Sequence, residues 1–345
     1  MAQAIVFDSG SPFVGNPIVY KVTANTVSGA SFHRVVLRVK AALQGAGDQD
    51  DTGWTPFTFS SPVESGGSVL FDISSALRAV GEKYQYDAVF PSKYPYIGFS
   101  LKAWDEYMID GVIYENVGIA TNDGGRTLMG GYSEIIRSLL PAETSISSFS
   151  GKPTSSPEIV MVGDEIVYAN TITTPYTISN ITRGATPLMY KPTSVGMKEL
   201  AGNKFYVIPR KNKERYAVRF INGYGCMETY FLNAPVSKKY SAKTVSYAKT
   251  SSAIFNKPSR SFSIKDSNDE EWSFSSGPLD ENWQAWFFHE FLMAKWSWIQ
   301  VNGDWLPCNF IPDETTVVSD KTKSSLLEIP FYVQFCNLGS PNRYR

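Results

Sequence analysis

Histidine is nearly missing: the 345-residue chain has two, His33 and His289. That scarcity removes most catalytic and metal-ligating constellations built on imidazole. His289-Glu290 opens like the His-Glu-x-x-His helix of zinc hydrolases, but Met293 stands where the second histidine is needed. Among so many Trp and Phe neighbours His289 reads as a packed side chain, and His33, heading an amphipathic strand, reads the same way. Cysteine is scarce as well. Cys226, Cys308 and Cys336 are odd in number and widely spaced, which fits neither a disulfide framework nor a zinc knuckle, so they read as reduced core thiols. No window reaches the roughly 20 uninterrupted apolar residues of a membrane span, and the most hydrophobic stretch, 283–299, contains His289, Glu290 and Lys295. The expectation is a soluble protein. Met1–Ser11 shows no signal-peptide pattern, so no export is implied.

Glycine-based chemistry is absent too. There is no Gly-x-Ser-x-Gly elbow, phosphate-binding loop or dinucleotide fingerprint. Gly124-Gly125-Arg126 with Gly130-Gly131 has the wrong spacing and reads as a loop before a helix. The acidic run Asp48–Asp51 lacks the spaced ligands of a calcium loop and reads as a solvated turn.

Aromatic residues, by contrast, are abundant at 14% of the chain. Large flat rings favour pleated, half-buried surfaces and protein contacts. Short apolar runs separated by Gly, Pro and Asn recur throughout. Ala4–Phe7, Ile18–Ala24, His33–Val39, Phe57–Phe59 and Val69–Phe71 read as strands, and Asp72 as the N-cap of a short helix through Val80. Tyr96–Tyr107 and Gly111–Asn116 read as a hairpin turning at Asp110-Gly111, with a second helix at Tyr132–Leu140. Later strands are expected at Ile159–Val162, Glu165–Ala169, Tyr176–Ile181, Lys204–Pro209, Tyr216–Ile221 and Glu228–Leu232. Ser261–Ile264 and Trp272–Phe274 read as a hairpin around the acidic loop Lys265–Glu271. Asp280 is placed to cap an aromatic helix, Asn282–Ala294. A hairpin turning at Asn302-Gly303-Asp304 and a closing strand, Leu326–Phe335, complete the pattern.

The fold class expected is mainly β (α+β), several β-sandwich-like modules with a few short helices. The length suits two or three domains of about 100–150 residues each. The division read from composition is an N-terminal β-rich domain, 1–141; a Ser/Pro-rich linker, 142–157; a basic β-sandwich-like domain, 158–259; and a C-terminal α+β domain, 260–345. Net charge is −5 over residues 1–145, +9 over 146–259 and −5 over 260–345. The alternation reads either as three unlike surfaces or as complementary patches that steer copies together.

Four functional classes follow. The basic middle segment interleaves Arg210, Lys211, Lys213, Arg215, Arg219, Lys238, Lys239, Lys243 and Lys249 with Tyr206, Tyr216, Tyr240 and Tyr247. Such a pattern can neutralise phosphates and stack bases, but no nucleic-acid fold signature accompanies it. Asp105 and Glu106, beside Trp104 and Tyr107, are the best carboxylates for glycoside hydrolysis, yet neighbours on a strand point to opposite faces. Trp54, Trp104, Trp296, Trp298 and Trp305 could form sugar platforms on the surface of a gut bacterium.

The fourth class rests on a resemblance. The opening Phe13-Val14-Gly15-Asn16-Pro17-Ile18, the strand-turn-strand Arg219–Tyr230, and the C-terminal series of Ser276-Gly277, an aromatic helix, the Trp296–Pro307 hairpin and a closing strand resemble structural proteins of tailed phages and prophages of Bacteroidetes. The resemblance implies a non-enzymatic virion component of the tail, baseplate or neck, made in the host cytoplasm and assembled into an oligomeric ring. Its expected partners are other copies of itself and neighbouring virion proteins, with no membrane, no nucleic acid, no cofactor or metal and no catalytic residues.

Overall fold

The computed structural model describes residues 4–10, 13–44, 53–86, 88–89, 96–131, 146–148, 150–153, 156–169, 171–176, 187–200, 203–211, 214–233, 235–249, 260–313 and 328–335. The fold is mainly β, as the turn-punctuated apolar runs predict.

Two antiparallel sheets form an N-terminal sandwich. One joins β1 (Ala4–Gly10), β2 (Ile18–Thr23) and β5 (Ser68–Asp72); the other has the order β4-β3-β6-β7, from β3 (Phe32–Gln44), β4 (Thr55–Pro62), β6 (Tyr96–Ile109) and β7 (Val112–Leu128). Strand alternation makes the shared core. In β2, Ile18, Tyr20 and Val22 face inward and meet Val35, Leu37 and Val39 of β3 and Ile97, Phe99 and Leu101 of β6. The runs flanking Gly66-Gly67 are both strands, but β4 and β5 enter different sheets, so that turn carries the chain from one layer to the other. The β6–β7 turn has positive φ at both Asp110 and Gly111, the geometry that lets a two-residue turn match the strands' twist.

The short helix α1 (Ser74–Gly81) begins one residue later than expected. Ile73 occupies the N-cap position, while Asp72 accepts hydrogen bonds from the Ser74 and Ile18 amides and so ties the helix start to β2. Gly124–Arg126 is not a loop: it lies within β7, opposite Gly98 and Phe99 of β6 at an irregular register. The expected helix at Tyr132–Leu140, the Asp48–Asp51 turn and Cys336 lie outside the described residues.

The larger body is a seven-stranded antiparallel sheet of order β16-β15-β19-β20-β21-β18-β17. Its strands are β15 (Arg215–Ile221), β16 (Met227–Asn233), β17 (Ser237–Lys249), β18 (Arg260–Ser275), β19 (Ser297–Val301), β20 (Asp304–Pro312) and β21 (Pro330–Phe335). The division at 259/260 therefore falls inside one sheet, because β15–β17 and β18–β21 share a core of Tyr216, Val218, Phe220, Trp272, Phe274, Phe331 and Val333. The expected hairpin around Lys265–Glu271 is replaced by one continuous strand. It pairs with β17 from Ser273–Ser237 to Arg260–Lys249, with Glu271 opposite Lys239.

A helix packs over this sheet. Asp280 caps α2 (Glu281–Trp286), accepting the Trp283 amide at 3.0 Å. From Phe287 to Leu292 the helix widens into a π turn, which places Phe287, Glu290, Phe291 and Leu292 inside. The Phe287 and Phe291 rings stack at 4.8 Å.

A smaller unit contains β9 (Glu158–Met161), β13 (Gly196–Leu200) and β14 (Asn203–Ile208) in the order β13-β14-β9, with β9 and β14 parallel. The two-stranded pairs β10 (Ile166–Ala169) with β12 (Pro187–Tyr190), and β8 (Ile146–Ser148) with β11 (Thr171–Tyr176), stand near it in sequence.

Candidate functional site

The sandwich and the large sheet meet along a seam of glycine backbone. The Gly15 amide donates to the Gly130 carbonyl at 2.6 Å, and the Gly131 amide to the Gly223 carbonyl at 2.7 Å. A Cβ on Gly15, Gly130 or Gly225 would overlap backbone atoms of Gly130, Gly223–Gly225 or Met129 respectively, so each glycine is required by a close approach. Side chains lock the seam. Tyr86 donates its hydroxyl to the Gly225 carbonyl, Arg219 donates to the Ala88 carbonyl at 2.7 Å, and Phe13 inserts among Val167, Ile221, Cys226, Met227 and Trp298.

Beside the seam opens a cleft of about 250 Å3. Its walls include Tyr84, Tyr86, Met129, Met293 and Trp296, and Glu290 is a buried acid on its lining. The Glu290 carboxylate accepts the Gly223 amide at 2.5 Å. Burial pushes its pKa up to about 7; the Gly223 amide opposes that rise, and the nearby Glu228 charge adds to it.

Behind Glu290, in the core and off the cleft wall, lie Glu158 and Glu228 with Lys152 between them. Lys152 Nζ is 2.7 Å from Glu158 and 3.9 Å from Glu228, and also donates to the Thr229 carbonyl. Asn222 donates to Glu228 Oε1 at 2.9 Å, while its own carbonyl oxygen accepts the amides of Tyr224 and Cys226 and so shapes the turn. Burial raises Glu228, against the lowering effects of Lys152, Ser150 and Asn222. Glu158 and Glu228 thus share one ammonium, and the charge of Glu228 in turn reaches Glu290. Nothing in the sequence pattern marks it. Lys152 sits in the span read as a linker, yet it is buried, because a lone cation is needed to offset two core acids.

The residues singled out from sequence fall in different places. Asp105 is fully buried and accepts the Asn25 backbone and side-chain amides at 2.8 and 2.7 Å. Burial pushes Glu106 up, but hydrogen bonds from Trp104 and Arg34 and the Arg34 charge outweigh it and hold it below the usual range. The two acids do different structural jobs and do not form a pair. His33 is buried 3.7 Å from Asp105, as a packed side chain should be. His289 is exposed on the cleft rim, contrary to the packed reading, because the π turn directs Glu290 and Phe291 inward instead. Cys226 and Cys308 are buried thiols, and burial pushes Cys226 well up.

The Arg38 guanidinium lies over the Trp104 ring and the Arg219 guanidinium over Trp305, while Trp298 is buried. A second, polar cleft of about 540 Å3 gathers Arg210, Lys211 and Arg215 from the basic segment, together with Tyr216 and Trp305. Asp164, Glu165 and Glu214 line it too, matching those three bases charge for charge. Arg215 is bound to Asp164 at 2.6 Å, so this cleft presents no excess of positive charge to a phosphate backbone.

Outward-facing apolar side chains mark the surface. On the small sheet, Met197 stands opposite Tyr206 and Tyr206 opposite Ile159, forming a row across three strands. These residues are 56%, 46% and 58% exposed. A second group, Val112, Ile113 and Tyr114, sits at the end of the β6–β7 hairpin on an edge strand.

No family model matches the chain, and no curated protein or solved structure resembles it significantly.

Proposed function

We propose that this chain is a non-enzymatic structural protein of a tailed phage or prophage, a tail, baseplate or neck part that assembles into an oligomeric ring. The observation that carries this reading is the row Met197–Tyr206–Ile159, three large apolar side chains aligned across a sheet and turned to solvent. Such a row costs solubility unless another surface covers it. The glycine seam supports the same reading, since backbone-to-backbone joints suit a rigid building block. Glu290 is coupled to the buried Glu228, which fits a proton held within a joint. The guanidiniums over Trp104 and Trp305 weigh against sugar platforms.

The test is to induce or isolate particles from a host carrying the gene and digest the purified virions for mass spectrometry. Peptides of this chain at a fixed, integral ratio to the other structural proteins are expected. Their absence from intact particles would overturn the virion reading.

A further inference from the structure

We propose that Lys152 and Glu228 join in an amide bond, a cross-link that the folded chain makes within its own core and that ties the segment before β9 to β16 of the large sheet. The bond closes a span of 76 residues. It forms within a single copy and needs no assembly.

The reacting groups are already together and shielded from water. The side chains of Lys152, Glu158 and Glu228 are 6%, 6% and 0% exposed, and the Trp286 ring lies over Lys152 Nζ at 5.5 Å. Nζ is 3.9 Å from Glu228 Oε2, too far for a hydrogen bond, and Oε2 has no hydrogen-bond partner among the described residues. A buried acid oxygen left unpaired is costly. The same approach sets an amine beside a carboxyl carbon, held there by the fold.

Each remaining part of an acyl transfer has a residue. Glu158 Oε2, 2.7 Å from Nζ, is in reach to take the ammonium proton and free the amine lone pair. Asn222 Nδ2 donates to Glu228 Oε1 at 2.9 Å, where negative charge builds as the carbonyl is attacked. Burial raises Glu228 toward its protonated form, so Oε2 can leave as water.

The step balances without a co-reactant. The Lys152 ammonium gives one proton to the Glu158 carboxylate, and Nζ attacks Cδ of the Glu228 carboxylic acid. The Cδ–Oε2 bond then breaks, and the hydroxyl leaves as water with a second proton from Nζ. The products are one amide, one water and protonated Glu158. The closed core excludes the water that would reverse the reaction. Freshly folded chains hold the ion pair and titrate through it; the closed bond removes both charges.

The test is the intact mass of the full-length protein, folded, incubated near neutral pH and denatured only for the measurement. The wild type should weigh one water less than its sequence requires, and its digest should contain a branched peptide joining Lys152 to Glu228. Lys152→Arg and Glu158→Gln should keep their full mass, the first for want of a primary amine and the second for want of the base, with circular dichroism verifying that both fold. Glu228→Gln should close the same bond with loss of ammonia in place of water. A wild type that retains its full mass after prolonged incubation overturns the proposal. A branch at Glu158 overturns the choice of Glu228, and loss of water from Glu158→Gln overturns the role of Glu158 as base.

Discussion

The Glu290 carboxylate holds the amide of Gly223, 67 residues earlier in the chain, and the carbonyl of that same glycine accepts the Gly131 amide. One buried acid on the π turn therefore braces the peptide that joins the sandwich to the large sheet. Its protonation should be felt at that joint.

The first prediction follows from the sign of this coupling. Glu290 has a pKa near 7 in the fold against an ordinary 4.5, so between these values the folded state binds more protons than the unfolded state. Stability should therefore fall as pH rises from about 4.5 to about 7 and level off above, by about 3 kcal/mol for a shift of this size. Glu228, also raised by burial, acts in the same direction. Urea midpoints measured across that range should show this slope, and Glu290→Gln, which retains an oxygen for the Gly223 amide, should flatten it.

Lys152 should be far more costly to lose than a surface lysine. Lys152→Met leaves Glu158 and Glu228 buried without their cation, at a cost of about 3–5 kcal/mol. Because the stranded acids can take up protons, the loss should shrink as pH falls. Adding Glu228→Gln should recover part of it, and a double-mutant cycle by chemical denaturation measures the coupling.

The glycine seam separates two kinds of glycine. Gly225 has φ +77 and no room for a Cβ against the Met129 backbone, whereas Gly303 has φ +95 and open space around it. Gly303→Ala should cost only left-handed strain, about 1–2 kcal/mol, and Gly225→Ala at least about 2 kcal/mol more. Melting temperatures of the two variants check the order.

The sequence made the strands and tight turns readable where local chemistry decides them. Asp110-Gly111 and Asn302-Gly303 turn hairpins because each pair supplies two positive φ angles, and Asp280 caps its helix through its own side chain. Where a distant partner decides, local reading failed. Residues 265–271 look like a loop in the sequence but lie within one long strand paired to β17, and that pairing carries a single sheet across 259/260. Lys152 gave no signal among serines and prolines, since its role is set by acids 6 and 76 residues away. Helical periodicity does not foresee a π turn, so a buried Glu290 beside an exposed His289 is not readable from the sequence.

The measurement that tests the central claim most directly is the absolute mass of the purified wild-type protein by light scattering, over a wide range of concentration and salt. Assembly through the exposed apolar row predicts a discrete multiple of 38.3 kDa whose share grows with concentration. A particle of 38.3 kDa under every condition would contradict it.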